Sequence, residues 1–285
     1  MGPAALVTPN VDVVLATWNG APYLEQQLKS LERQSLRPTR VLVHDDGSTD
    51  GTLSILDRWI QAHRGWIELL APLDSRLGPT QAFSRLLLAS QAAYIALCDQ
   101  DDIWSVDRLK VGLSQLQAKE AKSKLGQQQP LLLHSDATLI DAQGHQLNHS
   151  LWQWHQVNPQ NCSLVRLAQR NQVTGCTILC NRSLLQRALP IPNEVVLHDW
   201  WLALVACHQH GLIACPQRLI KHRRHGANHS GPHKQKEQLT QPLIERFNSR
   251  RRQWLCLHQR LGLGWLQRLA WWPQALITVL ERWKA

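Results

Sequence analysis

Carboxylates occupy two short polar segments that each follow an apolar run. The sequence DQDD at 99–102 follows the run 93–98, and DDGSTD at 45–50 follows the run 40–44. Two carboxylates spaced two residues apart at a strand end can turn oxygens toward one hard cation such as Mg²⁺ or Mn²⁺. Taken singly, each segment is equally consistent with an acidic turn that only caps the following helix.

Two further candidates lie in the second half of the chain. Asp199 is followed by Trp200 and Trp201, whose indoles would exclude water and raise the proton affinity of the carboxylate, as a general base requires. Capping of the following helix is compatible with that role. Histidines also recur through 222–233, but their spacing matches no zinc motif, so a basic loop that holds phosphate is the better interpretation.

These side chains must be positioned by strands and helices that alternate over the first hundred residues. Apolar periodicity predicts strands at 11–16, 40–44, 66–70 and 93–98, with helices at 22–31, 53–60 and 81–89. This alternation predicts an α/β domain with a mostly parallel central sheet flanked by helices. Ligands of such sheets bind beyond the carboxyl ends of the strands, where the segments 17–19, 45–50 and 99–102 all fall.

The second half is less regular. Strand patterns lie at 131–135, 176–180 and 219–222, and an apolar helix is expected at 199–207. We therefore predict one domain over 1–232 and a helical extension over 233–285. The extension is basic and rich in Trp. This composition is consistent with helices that lie on a membrane surface, and equally with helices that pack back on the domain.

Composition narrows the classes of partner. The 285 residues suffice for one large domain, and the net charge of +10 favours anionic partners. No zinc finger, RRM or helix-turn-helix signature is present, so no nucleic acid partner is expected. Seven cysteines without a CxxC pair, and no signal-peptide or membrane-spanning pattern, predict a cytoplasmic protein. The extension would give it peripheral contact with the inner face of the plasma membrane.

Six segments in register resemble family 2 glycosyltransferases, which have a GT-A fold. They are ATWNG at 16–20, DDGSTD at 45–50, DQDDIW at 99–104, VTGCT at 173–177, HDWW at 198–201 and RRHGAN at 223–228. The last three resemble the bacterial rhamnosyltransferase-like branch. Trp18 and Arg76 depart from the family pattern, which usually has Tyr and Asn at these donor-side positions.

The resemblance implies an inverting transfer of a sugar from a nucleoside-diphosphate donor, of dTDP or UDP type and including dTDP-rhamnose. The acceptor would be a polysaccharide or a lipid-linked saccharide. The implied donor-binding residues are Thr17, Trp18, Asn19, Asp46, Asp99 and Arg224, the metal ligands are Asp101 and His225, the general base is Asp199, and Gly175, Trp200 and Trp201 lie on the acceptor side. The alternatives are a non-catalytic sugar- or nucleotide-binding protein and a metal-dependent phosphohydrolase.

Overall fold

Strands and helices alternate along the first part of the chain, as the sequence predicts. The computed structural model describes residues 10–159, 162–226 and 243–262. Its first elements are β1 (Val11–Thr17), α1 (Ala21–Glu32), β2 (Arg40–Asp45), α2 (Thr52–Ala62), β3 (Ile67–Leu69), α3 (Gly78–Ala89), β4 (Tyr94–Asp99), β5 (Ile103–Trp104) and α4 (Arg108–Lys122).

The remaining elements include four that the sequence patterns did not predict, β7, α5, α6 and α7. They are β6 (Leu132–Ile140), β7 (Gln146–Ser150), α5 (Leu151–His155), α6 (Leu164–Gln169), β8 (Ile178–Asn181), α7 (Arg182–Ala188), α8 (His198–His208), β9 (Leu212–Arg223) and α9 (Leu243–Leu261). The sequence predicted only the last part of β9, because its middle is polar and exposed.

One sheet joins the described strands in the order β3-β2-β1-β4-β8-β6-β9-β5, with β7 paired to β6. The strands β3, β2, β1 and β4 run parallel to one another, as predicted. The second half is mixed, because β8 runs antiparallel to both β4 and β6 while β9 returns parallel to β6. The expectation of a mostly parallel sheet therefore holds for the first half only.

Apolar side chains pack on both faces of this sheet. Successive residues of β1 alternate between the faces, so Val14 joins the cluster beneath α3, α7 and α8, while Val13 and Leu15 join the cluster beneath α1, α2 and α4. All of them are fully buried. Burying one such side chain contributes about 1.5–3 kcal/mol, so the core fixes the strand register on which the site depends.

Register brings the predicted polar segments to one edge. Thr17 lies opposite Asp45, and Ala16 lies opposite Asp99, so the carboxyl ends of β1, β2 and β4 coincide. At the other side of the same edge, β5 pairs with the end of β9. This pairing sets residues 99–102, called the acidic loop below, beside the segment that follows Arg223.

The helix α9 is the described part of the predicted extension. It packs on α8 and α6, and its Trp254 and Leu257 are buried in the core cluster beneath them. Residues 227–242 and 263–285, which hold most of the basic, Trp-rich extension, lie outside the described residues. Within the described part of the chain, no helix has the length and apolar character needed to cross a bilayer.

Candidate active site

Hydrogen bonds join the loops after β1 and β2. The Thr17 hydroxyl donates to Asp45 Oδ2 at 2.7 Å. Asn19 has a φ of 49°, a left-handed conformation that Asn tolerates better than most residues. Its main-chain N–H donates to Ser48 Oγ, and its side-chain oxygen accepts from the Thr49 N–H, both at 2.8 Å. In this structure Thr17 and Asn19 therefore hold the two loops together.

Asp46 is buried at the start of α3. Its two oxygens accept the main-chain N–H groups of Leu77 at 2.7 Å and Gly78 at 3.0 Å, as expected of a carboxylate at a helix N-terminus. Arg76 places its Nε 3.6 Å from Asp46 Oδ2 and its guanidinium 3.9 Å from the ring centroid of Trp18. Trp18 is 42% exposed, so these side chains form an accessible group on the predicted donor side.

The acidic loop gathers three carboxylates. Oxygens of Asp99, Asp101 and Asp102 lie within 4.8 Å of one another. Desolvation, followed by the charges of Asp102 and Asp101, raises the pKa of Asp99 well above its usual value. A divalent cation would relieve this repulsion, so the donor set fits Mg²⁺ or Mn²⁺.

His225, in the segment after β9, contacts the acidic loop. Its Nε2 lies 2.8 Å from Asp101 Oδ2, although the two residues are 124 positions apart in the chain. The ring also packs against Tyr23, with 4.6 Å between the centroids. The structure thus brings together the two predicted metal ligands, one of oxygen and one of nitrogen type.

The residues just before His225 hold the acidic loop in place. Asp102 is fully buried, and its Oδ1 accepts from His222 Nδ1 at 2.9 Å and from the Arg223 N–H at 3.0 Å. Desolvation lowers the pKa of His222, but the Asp102 carboxylate more than offsets this and raises it to about 9. The buried Arg223 side chain donates to the Asp101 carbonyl at 2.9 Å and to Gln26 Oε1 at 2.7 Å. Sequence reasoning missed the contribution of Arg223 to this support.

Asp199 lies in the first turn of α8. Its Oδ2 accepts the Gly175 N–H, and its Oδ1 accepts the Asn171 side-chain amide, both at 3.0 Å. Desolvation raises the pKa of Asp199 to about 6, although hydrogen bonds, first from the Trp200 N–H, lower it in part. The charge of Asp199 also helps to raise the pKa of Asp99, so the two carboxylates interact electrostatically.

The prediction that Trp200 and Trp201 line the acceptor side is wrong. Trp200 is 5% exposed and Trp201 is fully buried, and their indole N–H groups donate to the carbonyls of Leu167 and Ala188. The reason is that α8 is buried all round, so its indoles pack in the core instead of lining a cleft. Their effect on the site is to anchor the helix that carries Asp199.

Gly175 and Arg224 meet different partners from those expected. A Cβ on Gly175 would lie 2.9 Å from His198 Nε2, so only glycine lets the main-chain amide approach Asp199 without displacing that ring. Arg224 places its guanidinium 4.1 Å from the ring centroid of Trp154, on α5. Among the described residues, no contact joins the Arg224 side chain to the acidic loop.

Gln100 is a site residue that the sequence interpretation passed over. Its side chain accepts from the Trp18 N–H at 2.8 Å and donates to the Trp18 carbonyl at 2.9 Å. A Cβ on Gly20 would lie 2.2 Å from Gln100 Oε1, so glycine leaves room for this side chain. The only signal in the sequence was the place of Gln100 between two candidate aspartates. The interpretation assigned roles to the aspartates and none to Gln100.

Known proteins of similar sequence include sugar transferases. The dTDP-rhamnosyl transferase RfbG of Shigella flexneri is 34% identical over 99 residues, and the chain spans only 34% of its length. An uncharacterized glycosyltransferase of Haemophilus influenzae is 24% identical over 199 residues, which are 70% of this chain and 72% of the relative.

Solved structures show the same fold at low sequence identity. The mannosyltransferase PcManGT of Pyrobaculum calidifontis, in complex with GDP-Man and Mn²⁺, has a TM-score of 0.58 at 19% identity and covers 100% of this chain and 78% of its own. S. aureus TarS 1–349 with UDP-GlcNAc has a TM-score of 0.57 at 16% identity, over 77% of this chain and 60% of its own. Residues 12–129 match the model of glycosyl transferase family 2. That segment is similar in sequence to glycosyl transferase family 2, and the fold of the chain is GT-A.

Proposed function

We propose that the protein is an inverting glycosyltransferase. It transfers a sugar from a nucleoside-diphosphate donor, of dTDP or UDP type and including dTDP-rhamnose, to a hydroxyl of a saccharide or lipid-linked acceptor. One observation carries the proposal: the Asp101–His225 pair lies in a carboxylate cluster that interacts electrostatically with the buried Asp199. The relative named as a dTDP-rhamnosyl transferase supports dTDP-rhamnose among the donors.

Asp101 and His225 would hold a divalent cation, Mg²⁺ or Mn²⁺, with Asp99 next to them on the proposed donor side. Such a cation would supply positive charge that neutralises the diphosphate. The Mn²⁺ complex of the structurally similar mannosyltransferase supports a divalent metal. Arg223 and the buried Asp102 keep the loop in place, so the ligands are ordered before the donor binds.

Asp199 is the proposed general base. The oxygen of the acceptor hydroxyl forms a bond to the anomeric carbon, while the bond from that carbon to the diphosphate oxygen breaks and its electron pair leaves with the diphosphate. The hydroxyl proton passes to Asp199. With a pKa of about 6, Asp199 is mostly ionised at pH 7 and more basic than an ordinary Asp. Attack opposite the leaving group inverts the anomeric carbon.

The donor base would lie on the Trp18 side of the cleft. The exposed indole offers a stacking surface, and Asp46 is close enough to Arg76 for both to take part in base recognition. Gln100 fixes the main chain of Trp18, so the position of the indole is tied to the acidic loop.

The deciding experiment is a thermal-shift screen of dTDP- and UDP-sugars with Mn²⁺, followed by turnover assays with and without saccharide acceptors. A ligand that binds the folded state raises the melting temperature. A transferase turns over faster with acceptor and yields an inverted glycoside. Equal nucleotide release without acceptor would instead identify a phosphohydrolase, and binding without turnover a non-catalytic protein. Full activity of Asp199→Asn would exclude the proposed base.

We also propose peripheral contact with the inner membrane face through residues 263–285. Truncation after Gly262 keeps α9, whose Trp254 and Leu257 pack in the core. We expect the truncated protein to shift from the membrane fraction to the supernatant. Unchanged fractionation would contradict this contact.

A further inference from the structure

An exposed indole and an arginine stack on each other beside the candidate site. Trp154, on α5, is 47% exposed, and the Arg224 guanidinium lies 4.1 Å from its ring centroid. A capping box at the start of α5, formed by Ser150 and Gln153, holds this short helix in place. An indole presented in this way can pack against the C–H groups of a sugar ring.

The surroundings of this indole are cationic. Arg170 is exposed and donates to the His155 carbonyl at the end of α5. Burial, followed by the positive charges of His222, Arg170 and Arg224, lowers the pKa of His155 to about 4. By contrast, Arg218, in the middle of β9, pairs with Asp136 at 3.8 Å.

Neither Arg170 nor Arg224 forms an ion pair with a carboxylate of the described residues. Within the described part of the chain, no carboxylate therefore neutralises these two guanidinium charges. Arginine binds phosphate through paired N–H donors, which gives such a contact both strength and orientation.

Chain connectivity places the two arginines on either side of the proposed chemistry. Arg170 precedes Asn171, which donates to Asp199, and Arg224 precedes His225, which contacts Asp101. Arg224 follows β9 and Arg170 follows α6, whereas the predicted donor-side loops follow β1 and β2. A ligand on Trp154 would thus approach from the side opposite the nucleotide.

We propose that Trp154, Arg224 and Arg170 form an acceptor subsite for a saccharide that carries a phosphate ester. The indole packs against the sugar ring, and the two guanidinium groups bind the phosphate. This assignment rests on the proposed function, and it replaces the donor role that the sequence predicted for Arg224. A sugar linked to a lipid through phosphate and a free sugar phosphate share this chemistry.

The test measures binding of α-D-glucose 1-phosphate, D-glucose and inorganic phosphate to the full chain by saturation-transfer NMR and calorimetry. EDTA is present, because phosphate binding at the carboxylate cluster requires a metal whereas arginines do not. We expect glucose 1-phosphate to bind about tenfold more tightly than either fragment. Trp154→Ala and Arg224→Gln should each weaken it about tenfold, and Trp154→Phe should retain most of the affinity.

Arg37→Gln is the matched control. Arg37 is exposed and stacks on Trp66 at 4.5 Å, but this pair lies at the opposite end of the strands. The control should bind glucose 1-phosphate as the parent protein does. No binding by the parent protein, equal binding of inorganic phosphate, or equal loss in Arg37→Gln would overturn the subsite.

Two further experiments distinguish a lipid-linked from a soluble acceptor, and failure of the subsite from failure of the proposed function. The first uses phosphatidylcholine vesicles that contain a polyprenyl phosphate. If the protein binds these vesicles and glucose 1-phosphate displaces it from them, a lipid-carried acceptor is supported. Glucose 1-phosphate binding without vesicle binding supports a soluble one. If the parent protein shows no acceptor-dependent transfer with Mn²⁺ but keeps the EDTA-resistant binding of glucose 1-phosphate, the proposed function fails and the subsite stands.

Discussion

Trp18 and Arg76 are in direct contact, with the guanidinium 3.9 Å from the ring centroid. These are the two positions at which the sequence departs from the family pattern of Tyr and Asn. Because the departures touch, they form one local change in the donor side rather than two independent ones. The same guanidinium also approaches Asp46, so the change extends to the residue predicted to recognise the base.

This contact predicts coupled effects on donor binding. Trp18→Tyr and Arg76→Asn should each weaken binding of the nucleotide that most stabilises the protein, by about threefold, because an exposed cation–π contact contributes about 0.5–1 kcal/mol. The double variant should bind about as well as either single variant. Calorimetry on all four proteins measures the coupling. Strictly additive losses would contradict it.

The buried Asp199 predicts the pH dependence of transfer. A general base acts only when deprotonated, and desolvation raises its pKa to about 6. The kcat/KM for acceptor should therefore rise with pH through about 6 and level off above it, falling about tenfold per pH unit below. Initial rates between pH 5 and 8, with folding checked by circular dichroism, measure this. A flat profile, or an Asp199→Asn variant with the same rise, would exclude Asp199 as the base.

The carboxylate cluster predicts metal dependence. EDTA should abolish transfer, and Mn²⁺ or Mg²⁺ should restore it. Asp101→Asn should lower kcat by at least about 100-fold, since the cation stabilises the leaving diphosphate by several kcal/mol. Asp57→Asn, an exposed carboxylate on α2, is the control and should leave the rate unchanged. Full activity in EDTA would contradict the prediction.

Gly175 predicts a link between packing and catalysis. In Gly175→Ala the new methyl group would lie 2.9 Å from His198 Nε2 and 3.6 Å from Asp199 Cβ. We expect a loss of about 1–3 kcal/mol in the free energy of unfolding and a lower kcat, because the Gly175 N–H holds Asp199. Gly51→Ala is the control, since its Cβ would meet only Ala21 at an ordinary 3.6 Å. Urea denaturation and kcat measurements would test both.

Local patterns sufficed for the donor half of the fold. Each of β1, β2 and β4 is a short apolar run with a polar loop at its carboxyl end, so their convergence follows from the rules for parallel sheets. The direction of β8 did not follow from its sequence, because pairing direction depends on partners far along the chain.

The site was predictable where residue type decides chemistry, and less so where packing does. The sequence identified Asp101 and His225, and the structure places them in contact. Trp200 and Trp201 were assigned to the cleft because they adjoin Asp199, whereas the unbroken apolar character of α8 was the sign of a fully buried helix. Gln100 and Asn171 act by hydrogen bonds to partners distant in sequence, which a linear pattern does not encode.

The antiparallel pairing of β4 with β8 is a narrow seam, formed where Tyr94, Ile95 and Ala96 lie opposite Asn181, Cys180 and Leu179. The part of the chain that matches the family model ends at residue 129. Of the strands on the far side of this seam, only β5 precedes that residue in the chain. Recombination just after that point would graft a new β6–β9 half onto an unchanged nucleotide-side half. Under the proposed function, exchange of one contiguous gene segment would replace the proposed acceptor side and leave the proposed donor side unchanged.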